Sequence, residues 1–316
     1  MSEKVCLLVS DDLARYGFPS GHPFGTDRQE AFLRKARGRG LDTRAHVMGS
    51  RAATRDEIER FHTVDYVNRV MVKSQQGVGY LDYGDTPAFV GVFEVSSHVV
   101  GAALMALDAV MEGTCRRSFQ PIGGLHHARR DRAAGFCVFN DVGVVIETLR
   151  SRYGVKRIAY VDIDVHHGDG LYYPYESDRD LIVADIHEDG DYLYPGTGHD
   201  WETGKDAAAG TKLNIAMPPG AGDAEFSRQW ERVEAHLVKF RPEFFLLQCG
   251  ADSLGGDPIA HLHYTAAAHG HAAKRLRALA DEHARGRLMV FGGGGYNRTN
   301  LALAWNAVLE ALVETP

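Results

Sequence analysis

Cysteine is scarce in this sequence of 316 residues, which contains only Cys6, Cys115, Cys137 and Cys249. These residues are widely spaced and form no C-x-x-C pair. We therefore expect neither a disulfide framework nor a zinc site built from thiolates. Because disulfides are rare in reducing compartments, this composition also suits a cytoplasmic protein.

Long apolar runs and clusters of positive charge are also missing. The most apolar stretch, 101–113, is interrupted by Asp108 and is too short to cross a bilayer. The apolar run in the N-terminal MSEKVCLLVSDD is too short for a secretory signal. The net charge is −7 and no Lys/Arg-rich run stands out. We expect neither a nucleic-acid nor a membrane partner, and the oligomeric state stays open.

Short apolar runs that alternate with longer helical patterns are the main signal of the fold. We predict strands at 5–10, 118–122, 157–162, 181–186, 213–217, 243–249 and 288–291. We predict helices at 93–111, 140–152, 223–240, 265–285 and 299–314. Several strands are apolar on both faces, which is typical of a parallel sheet covered on both sides. The sequence thus predicts an α/β fold, in which one domain (1–316) has a mostly parallel central sheet with helices on both faces.

Four polar motifs each follow a predicted strand. They are GGLHHA (123–128), DIDVHHGDG (162–170), CGADS (249–253) and GGGGY (292–296). In open α/β sheets, ligands bind beyond the carboxyl ends of the strands. We therefore expect the four motifs to converge there.

A metal site is the first chemistry that these motifs suggest. Asp164 and His166 are two positions apart, so on an extended segment their side chains point the same way. Asp252, from another strand end, would be a third ligand. Such a set leaves open positions, as a catalytic zinc site does. A single D-x-H pair more often means a helix cap and a hydrogen-bonded histidine, but the two motifs together favour the metal site.

The adjacent His126 and His127 suggest acid–base chemistry beside that metal. With Asp162 and Asp169 as available carboxylate partners, the two imidazoles could hold different pKa values. The glycines of GGGGY form no P-loop, because no Lys-Ser/Thr follows them. They would place the hydroxyl of Tyr296 where it can donate to a developing oxyanion. The alternative for each residue is a structural histidine or a buried aromatic side chain.

Taken together, these motifs resemble the zinc-dependent histone deacetylase superfamily, which has the arginase–deacetylase fold. The resemblance extends to HPFGTDR (22–28), HTVDY (62–66), GDTPAF (84–89), GFCVFND (135–141) and YPGTG (194–198). The segments RDRAAGFCVFND and HEDGDYLYPGTG are most similar to the acetoin-utilisation-type branch. A bacterial or archaeal origin is inferred from that branch.

The resemblance assigns a role to each residue of the site. It makes Asp164, His166 and Asp252 the zinc ligands, with Fe²⁺ as an alternative metal for the same ligand set. The catalytic residues that it implies are His127 as base and acid with Asp169, His126 with Asp162, and Tyr296 as the carbonyl-polarising hydroxyl. The substrate-binding residues that it implies are the tunnel walls Phe136 and Tyr194, with Gly135, Gly294 and the rim residue Asp85. Arg28 matches the arginine of the inner channel through which acetate leaves.

The resemblance also implies a structural K⁺ site. Its residues would be Asp162, Asp164, His166, Asp185 and Ile186. Asp185 stands where many relatives have serine, and Tyr194 stands where most have phenylalanine. We expect the Asp185 carboxylate to tighten the K⁺ site.

Four functions remain open at this stage. The first is a zinc amidohydrolase that removes acetyl or other short acyl groups from lysine in a peptide or protein. The second, an acetylpolyamine amidohydrolase acting on an acylated small amine, is less favoured because segment 67–83 is short. The third is a binuclear manganese ureohydrolase, which would need more metal ligands. The fourth is an inactive binding homologue, which would not need the metal ligands, the base and the tyrosine that are all present here.

Overall fold

A computed structural model describes residues 5–19 and 21–314. Within them, eight strands form one sheet in the order β2-β1-β3-β8-β7-β4-β5-β6. Every neighbouring pair is parallel. The strands are β1 (Val5–Leu8), β2 (His46–Met48), β3 (Arg117–Gln120), β4 (Ile158–Asp162), β5 (Leu181–Glu188), β6 (Lys212–Met217), β7 (Phe244–Gln248) and β8 (Leu288–Phe291). The predicted parallel sheet is confirmed, and it is parallel throughout.

The central strands are buried on both faces, as their composition predicts. All five residues of β4 and all five of β7 are buried. The seven predicted strands are present, although β1 and β3 each end two residues earlier than predicted. The prediction omitted β2, an edge strand of three residues that are not buried. An exposed edge strand of this length has no apolar pattern by which a sequence could reveal it.

Ten α-helices connect or flank the strands of the described chain. They are α1 (Asp11–Ala14), α2 (Arg28–Gly38), α3 (Arg55–Ile58), α4 (Val64–Gln76), α5 (Val92–Met111), α6 (Asp141–Tyr153), α7 (Asp169–Tyr172), α8 (Asp223–Phe240), α9 (Ala266–His283) and α10 (Arg298–Val313). The five predicted helices are present within two residues at each end. The prediction did not include α2 or α4, nor the single-turn helices α1, α3 and α7.

The strand order places helices on both faces of the sheet. Connections that run toward β6 carry α5 and α6, whereas those that run the other way carry α2, α8 and α9. Because parallel crossovers are right-handed, opposite directions put their helices on opposite faces. The packing agrees: α5 contacts α4 and α6, whereas α10 contacts α2 and α9. The predicted helical layers on both faces are confirmed.

Helix α5 is a buried core helix. Its 20 residues are long and apolar enough for a membrane crossing, and 72% of its most apolar window is buried inside the protein. Residues 101–111 of the stretch 101–113, judged too short for a span, therefore belong to a longer helix. That burial explains its apolar composition without a membrane.

One disulfide contradicts the expectation drawn from the cysteine spacing. Cys6 in β1 is bonded to Cys115, which lies just before β3, with 5.8 Å between their Cα atoms. The two residues are 109 positions apart, and only the pairing of β1 with β3 brings them together. Cys137 and Cys249 are free and buried. The cytoplasmic location stays a prediction.

Candidate active site

The site lies at the carboxyl edge of four consecutive strands, β3, β8, β7 and β4. Each of the four polar motifs begins at the end of one of these strands. The chain visits them in a different order, so segments up to 170 residues apart become neighbours. The predicted convergence of the four motifs is confirmed.

Three side chains at this edge form a group that could hold a metal ion. One ligand atom from each of Asp164, His166 and Asp252 lies within 4.8 Å of the others, and all three residues are buried. His166 Nδ1 is 3.0 Å from Asp164 Oδ1 and 3.4 Å from Asp252 Oδ2. Asp252 Oδ2 has no hydrogen-bond partner among the described residues. A buried carboxylate oxygen without a partner is costly, and a cation would satisfy it.

The local backbone differs from the prediction. Strand β4 ends at Asp162, and Asp164 and His166 lie on the bend that follows rather than on an extended segment. The bend is stabilised by the carboxylate of Asp162, which accepts from the backbone N–H of Asp164 at 3.0 Å. The two side chains therefore converge through a turn instead of through strand alternation.

Residues that sequence reasoning missed hold the metal-binding group in place. Gln248 Nε2, at the end of β7, donates to Asp164 Oδ2 at 2.8 Å. The backbone N–H of Gly294 donates to the same oxygen at 2.9 Å. A Cβ atom at Gly250 would lie 1.9 Å from that oxygen, so no side chain fits there. A polar Gln at the end of the otherwise apolar FFLLQ is the signal that could have revealed Gln248.

The two adjacent histidines each contact one carboxylate. His126 Nδ1 is 2.7 Å from Asp162 Oδ2, and His127 Nδ1 is 2.7 Å from Asp169 Oδ1. Their Nε2 atoms are 3.1 Å apart. Asp169 Oδ2 also accepts from Arg129, at 2.6 Å from Nη2 and 3.2 Å from Nε.

These contacts separate the pKa values of the two imidazoles. Burial lowers the pKa of His126, but the carboxylates of Asp162, Asp164 and Asp185 together outweigh burial and raise it to about 9. Burial and the positive charge of His126 lower the pKa of His127 to about 4, although Asp169 opposes that shift. These shifts favour a protonated His126 and a neutral His127 near neutral pH, so that the Nε2–H of His126 donates to Nε2 of His127.

A tunnel leads from the surface to this edge. It encloses about 210 Å³ and is lined by Asp85, His127, Gly135, Phe136, His166, Leu193, Tyr194, Ile259 and Tyr296. Asp85 lies at its mouth on a loop that Asp82 holds through hydrogen bonds to the N–H groups of Gly84, Asp85 and Thr86. Gly135 has a positive φ of 51°, and a Cβ there would meet the His127 ring at 2.5 Å.

Tyr296 faces the inner end of the tunnel, and its backbone is held by Asp257, a residue that was not predicted to belong to the site. Asp257 Oδ2 accepts from the backbone N–H of Tyr296 at 2.8 Å and from that of Asn297 at 3.3 Å. Burial, with the charges of Asp252 and Asp164, raises the pKa of Tyr296. Its hydroxyl is therefore protonated at neutral pH and available as a donor.

Arg28 lies deeper than Tyr296 and is fully buried. Its Nε donates to the carbonyl of Gly295 at 3.0 Å, and its Nη2 donates to that of Gly293 at 2.6 Å. Nη1 has no partner among the described residues. A small cavity lined by Gly293, Gly294 and both histidines lies at the inner end of the tunnel.

The residues predicted for a monovalent cation lie beneath the histidines. Asp185 Oδ2 accepts from the N–H of Gly168 at 2.9 Å, and Oδ1 is 2.7 Å from His187 Nδ1. Asp185 and Ile186 are buried in β5, beside Asp162 in β4. Burial raises the pKa of Asp162 to about 6; the charge of His126 opposes this shift, and the charge of Asp185 adds to it.

An eight-stranded parallel sheet that carries a possible metal-binding group of two carboxylates and one histidine beside a buried histidine pair is an arrangement typical of hydrolases that use a metal. Comparison with known proteins makes the assignment specific. The histone deacetylase domain model matches residues 22–312, and the chain belongs to the histone deacetylase family.

Individual relatives agree with the family. The chain is 32% identical to the acetoin utilization protein AcuC of Staphylococcus aureus (strain MSSA476), covering 100% of this chain and 83% of the relative. It is also 32% identical to AcuC of Bacillus subtilis (strain 168), covering 92% and 77%. The crystal structure of the HDA15 HD domain superposes with a TM-score of 0.90 at 24% identity, covering 99% and 89%, which shows the shared fold. The resemblance inferred from the motifs is confirmed, and these relationships support a deacetylase that hydrolyses amides.

Proposed function

We propose that this protein is a zinc-dependent amidohydrolase that removes acetyl or other short acyl groups from lysine side chains. The observation that carries the proposal is the position of the Asp164–His166–Asp252 group, at the inner end of a tunnel next to two buried histidines of different pKa. A narrow tunnel admits a linear side chain and brings its terminal amide to the metal.

The ligand group fits a catalytic metal. Two carboxylates and one imidazole suit Zn²⁺, and Fe²⁺ accepts the same ligands. Three protein ligands leave coordination positions for a substrate. When bound, the metal supplies Lewis-acid activation of the amide carbonyl and of the attacking water.

The protein residues supply proton transfer and charge stabilisation. We assign the general base to His127, because its neutral imidazole lines the tunnel while Nδ1 donates to Asp169. His127 takes a proton from the attacking water and then gives it to the leaving amine nitrogen. His126, kept protonated by Asp162, stabilises the negative charge that develops nearby.

Tyr296 and the tunnel walls orient the amide. The Tyr296 hydroxyl donates to the carbonyl oxygen as negative charge develops on it. The rings of Phe136 and Tyr194 lie along the alkyl chain of the acyl-lysine, and the Gly135 carbonyl accepts from the substrate amide N–H. Asp85 at the mouth accepts from the backbone of a peptide substrate. The carboxylate product leaves past Arg28, whose buried Nη1 has no hydrogen-bond partner among the residues that the structure describes.

A K⁺ ion at Asp162, Asp164, His166, Asp185 and Ile186 is part of the same proposal. Burial, and to a lesser extent repulsion from the neighbouring carboxylate of Asp185, raises the pKa of Asp162. A monovalent cation would offset that repulsion. If neither activity nor stability depends on the K⁺ concentration, the proposed K⁺ site is wrong.

The test is turnover by the zinc-loaded enzyme of an acetyl-lysine peptide, longer acyl-lysine peptides and N-acetylputrescine. Each reaction is run with and without a hydroxamate, which binds the metal of such sites. Hydroxamate-sensitive release of the lysine peptide is the expected result, and the series ranks the acyl groups. Cleavage of N-acetylputrescine alone would assign the enzyme to acylated polyamines and leave the catalytic roles intact.

The metal is tested separately. Protein purified without added metal is stripped with a chelator and reloaded with Zn²⁺, Fe²⁺ or Mn²⁺ before assay. We expect Zn²⁺ or Fe²⁺ to restore deacylation. Urea release that depends on Mn²⁺ would contradict the proposal and support a ureohydrolase.

A further inference from the structure

A second cavity lies at the opposite edge of the sheet from the candidate active site. It encloses about 210 Å³ and is lined by Val110, Met111, Glu112, Gly113, Cys115, Arg116, Arg285 and Arg287. Two turns build it: one leads from α5 into β3, and the other leads from α9 into β8. Both turns precede their strands, whereas the deacetylase motifs follow theirs. The two sites are therefore separated by the length of the central strands.

The register of the sheet brings the arginines of the two turns together. Arg117 pairs with Leu288 across β3 and β8, so the preceding residues, Arg116 and Arg287, lie side by side. Neighbouring strands are about 4.8 Å apart. Arg285, three residues before Leu288, adds a third guanidinium group to the cavity. This juxtaposition is set by strand pairing and not by any local motif.

Among the described residues that line the cavity, positive charge exceeds negative charge. They include three arginines and one carboxylate, that of Glu112. Arg116 and the neighbouring Arg117 also pair with Asp281, at 3.8 Å and 2.5 Å. The side chains of Arg285 and Arg287 have no hydrogen bond or ion pair with any part of the chain that the structure describes. Burial and the charge of Arg285 lower the pKa of Arg287.

The carbonyl groups at the ends of two helices explain the presence of only some of these arginines. Helices α5 and α9 end beside the cavity, and their terminal carbonyl groups attract cations. Arg116 meets that need, because its Nε donates to the backbone carbonyl of Arg285 at 3.4 Å. The guanidinium groups of Arg285 and Arg287 remain for another anion.

The floor of the cavity is apolar. Val110 is 4% exposed and Cys115 is fully buried, and Met111 lies beside them. The disulfide between Cys115 and Cys6 fixes this floor to β1. An occupant would therefore meet an apolar surface on one side and guanidinium groups on the other.

We propose that this cavity binds a small organic carboxylate with a short alkyl chain, its carboxylate on Arg285 and Arg287 and its chain against Val110 and Met111. Planar guanidinium groups match the geometry of a carboxylate. The alkyl chain removes apolar surface of the floor from water, which an inorganic anion does not do. The volume of the cavity admits a short acid and excludes a nucleotide.

The test is calorimetric titration of the metal-loaded enzyme with butyrate at constant ionic strength. A saturating hydroxamate blocks the candidate active site, so that the butyrate heat reports on the second cavity alone. We expect one saturable site per chain, with tighter binding of butyrate than of inorganic phosphate. Absence of saturable binding, or tighter binding of phosphate, would overturn the proposal.

Matched variants locate the binding. Arg285→Gln combined with Arg287→Gln should weaken butyrate binding at least about tenfold, because each charge-assisted hydrogen bond contributes strongly. Arg34→Gln combined with Arg232→Gln removes the same charge from exposed positions on α2 and α8 and should leave the affinity unchanged. If butyrate binding is weakened equally in both variants, the effect is one of general charge and the proposed site is wrong. Deacylase turnover should be unchanged in both, so the outcome does not depend on the proposed activity.

Discussion

Replacing Asp169 with Asn tests the role of His127 more sharply than removing the histidine. The Asp169 carboxylate serves two donors in the structure: Oδ1 faces His127 Nδ1 at 2.7 Å, and Oδ2 accepts two hydrogen bonds from Arg129. An asparagine has one oxygen and one amide nitrogen. Because Arg129 can only donate, the oxygen must face Arg129 and the NH₂ group must face His127.

That orientation reverses the tautomer of His127. With an amide donor beside Nδ1, the ring proton moves to Nε2, and the lone pair that would take a proton from water is lost. General acid–base catalysis is worth about 10²–10⁴ in rate. We expect kcat/KM of Asp169→Asn to fall at least about 100-fold, or ~2.7 kcal/mol of transition-state stabilisation.

The second partner of Asp169 provides the control. Arg129→Met removes the guanidinium group, which lies 5.0 Å from the centre of the Tyr173 ring, but leaves the Asp169–His127 contact intact, so we expect only a small loss of activity. Adding Arg129→Met to Asp169→Asn frees the amide oxygen to turn toward His127, and it should restore part of the lost rate. Metal content and melting temperature are measured for every variant. An Asp169→Asn enzyme with near-wild-type kcat/KM, or a double variant worse than both single variants, would refute this assignment.

Three further predictions concern Tyr296, Asp252 and the buried His62. Tyr296→Phe should retain the metal but lose about 10²–10³ in kcat, as loss of an oxyanion donor does; unchanged turnover would exclude Tyr296 from the reaction. Asp252→Asn should lower the bound metal measured by elemental analysis, and full occupancy would remove Asp252 from the ligand set. Burial lowers the pKa of His62 to about 3, so the unfolded chain binds its proton first and the folded state loses stability as the pH falls below about 6.5. The loss in the free energy of unfolding approaches ~5 kcal/mol near pH 3. In His62→Gln, the amide oxygen can still accept the hydrogen bond from the backbone N–H of Asn140. Denaturant titrations of this variant should therefore show a smaller loss of stability between pH 6.5 and 4.

Much of the fold could be read from the sequence because its signals are local. The strands β4 and β7 are continuous apolar runs, and helices such as α8 and α10 follow their own periodicity. The missed elements lack such signals. Strand β2 has no buried residue, and α1, α3 and α7 are single turns whose caps only the surrounding structure defines. The disulfide was missed because nothing near Cys6 in the sequence points to Cys115.

Most residues of the candidate site could be predicted from the sequence, because histidines and aspartates directly after apolar strands have few structural reasons to be there. The tertiary structure decided which of them meet. The order β3-β8-β7-β4 brings four distant motifs to one edge, and a bend after β4 turns Asp164 toward His166. The structure also shows that Gln248 and Asp257 belong to the site, because each forms a hydrogen bond with a site residue that is far away in the sequence. Composition and periodicity act over a few residues and thus determine elements and candidate chemistry, whereas pKa values, partners and cavities depend on groups that only folding brings within a few ångströms of one another.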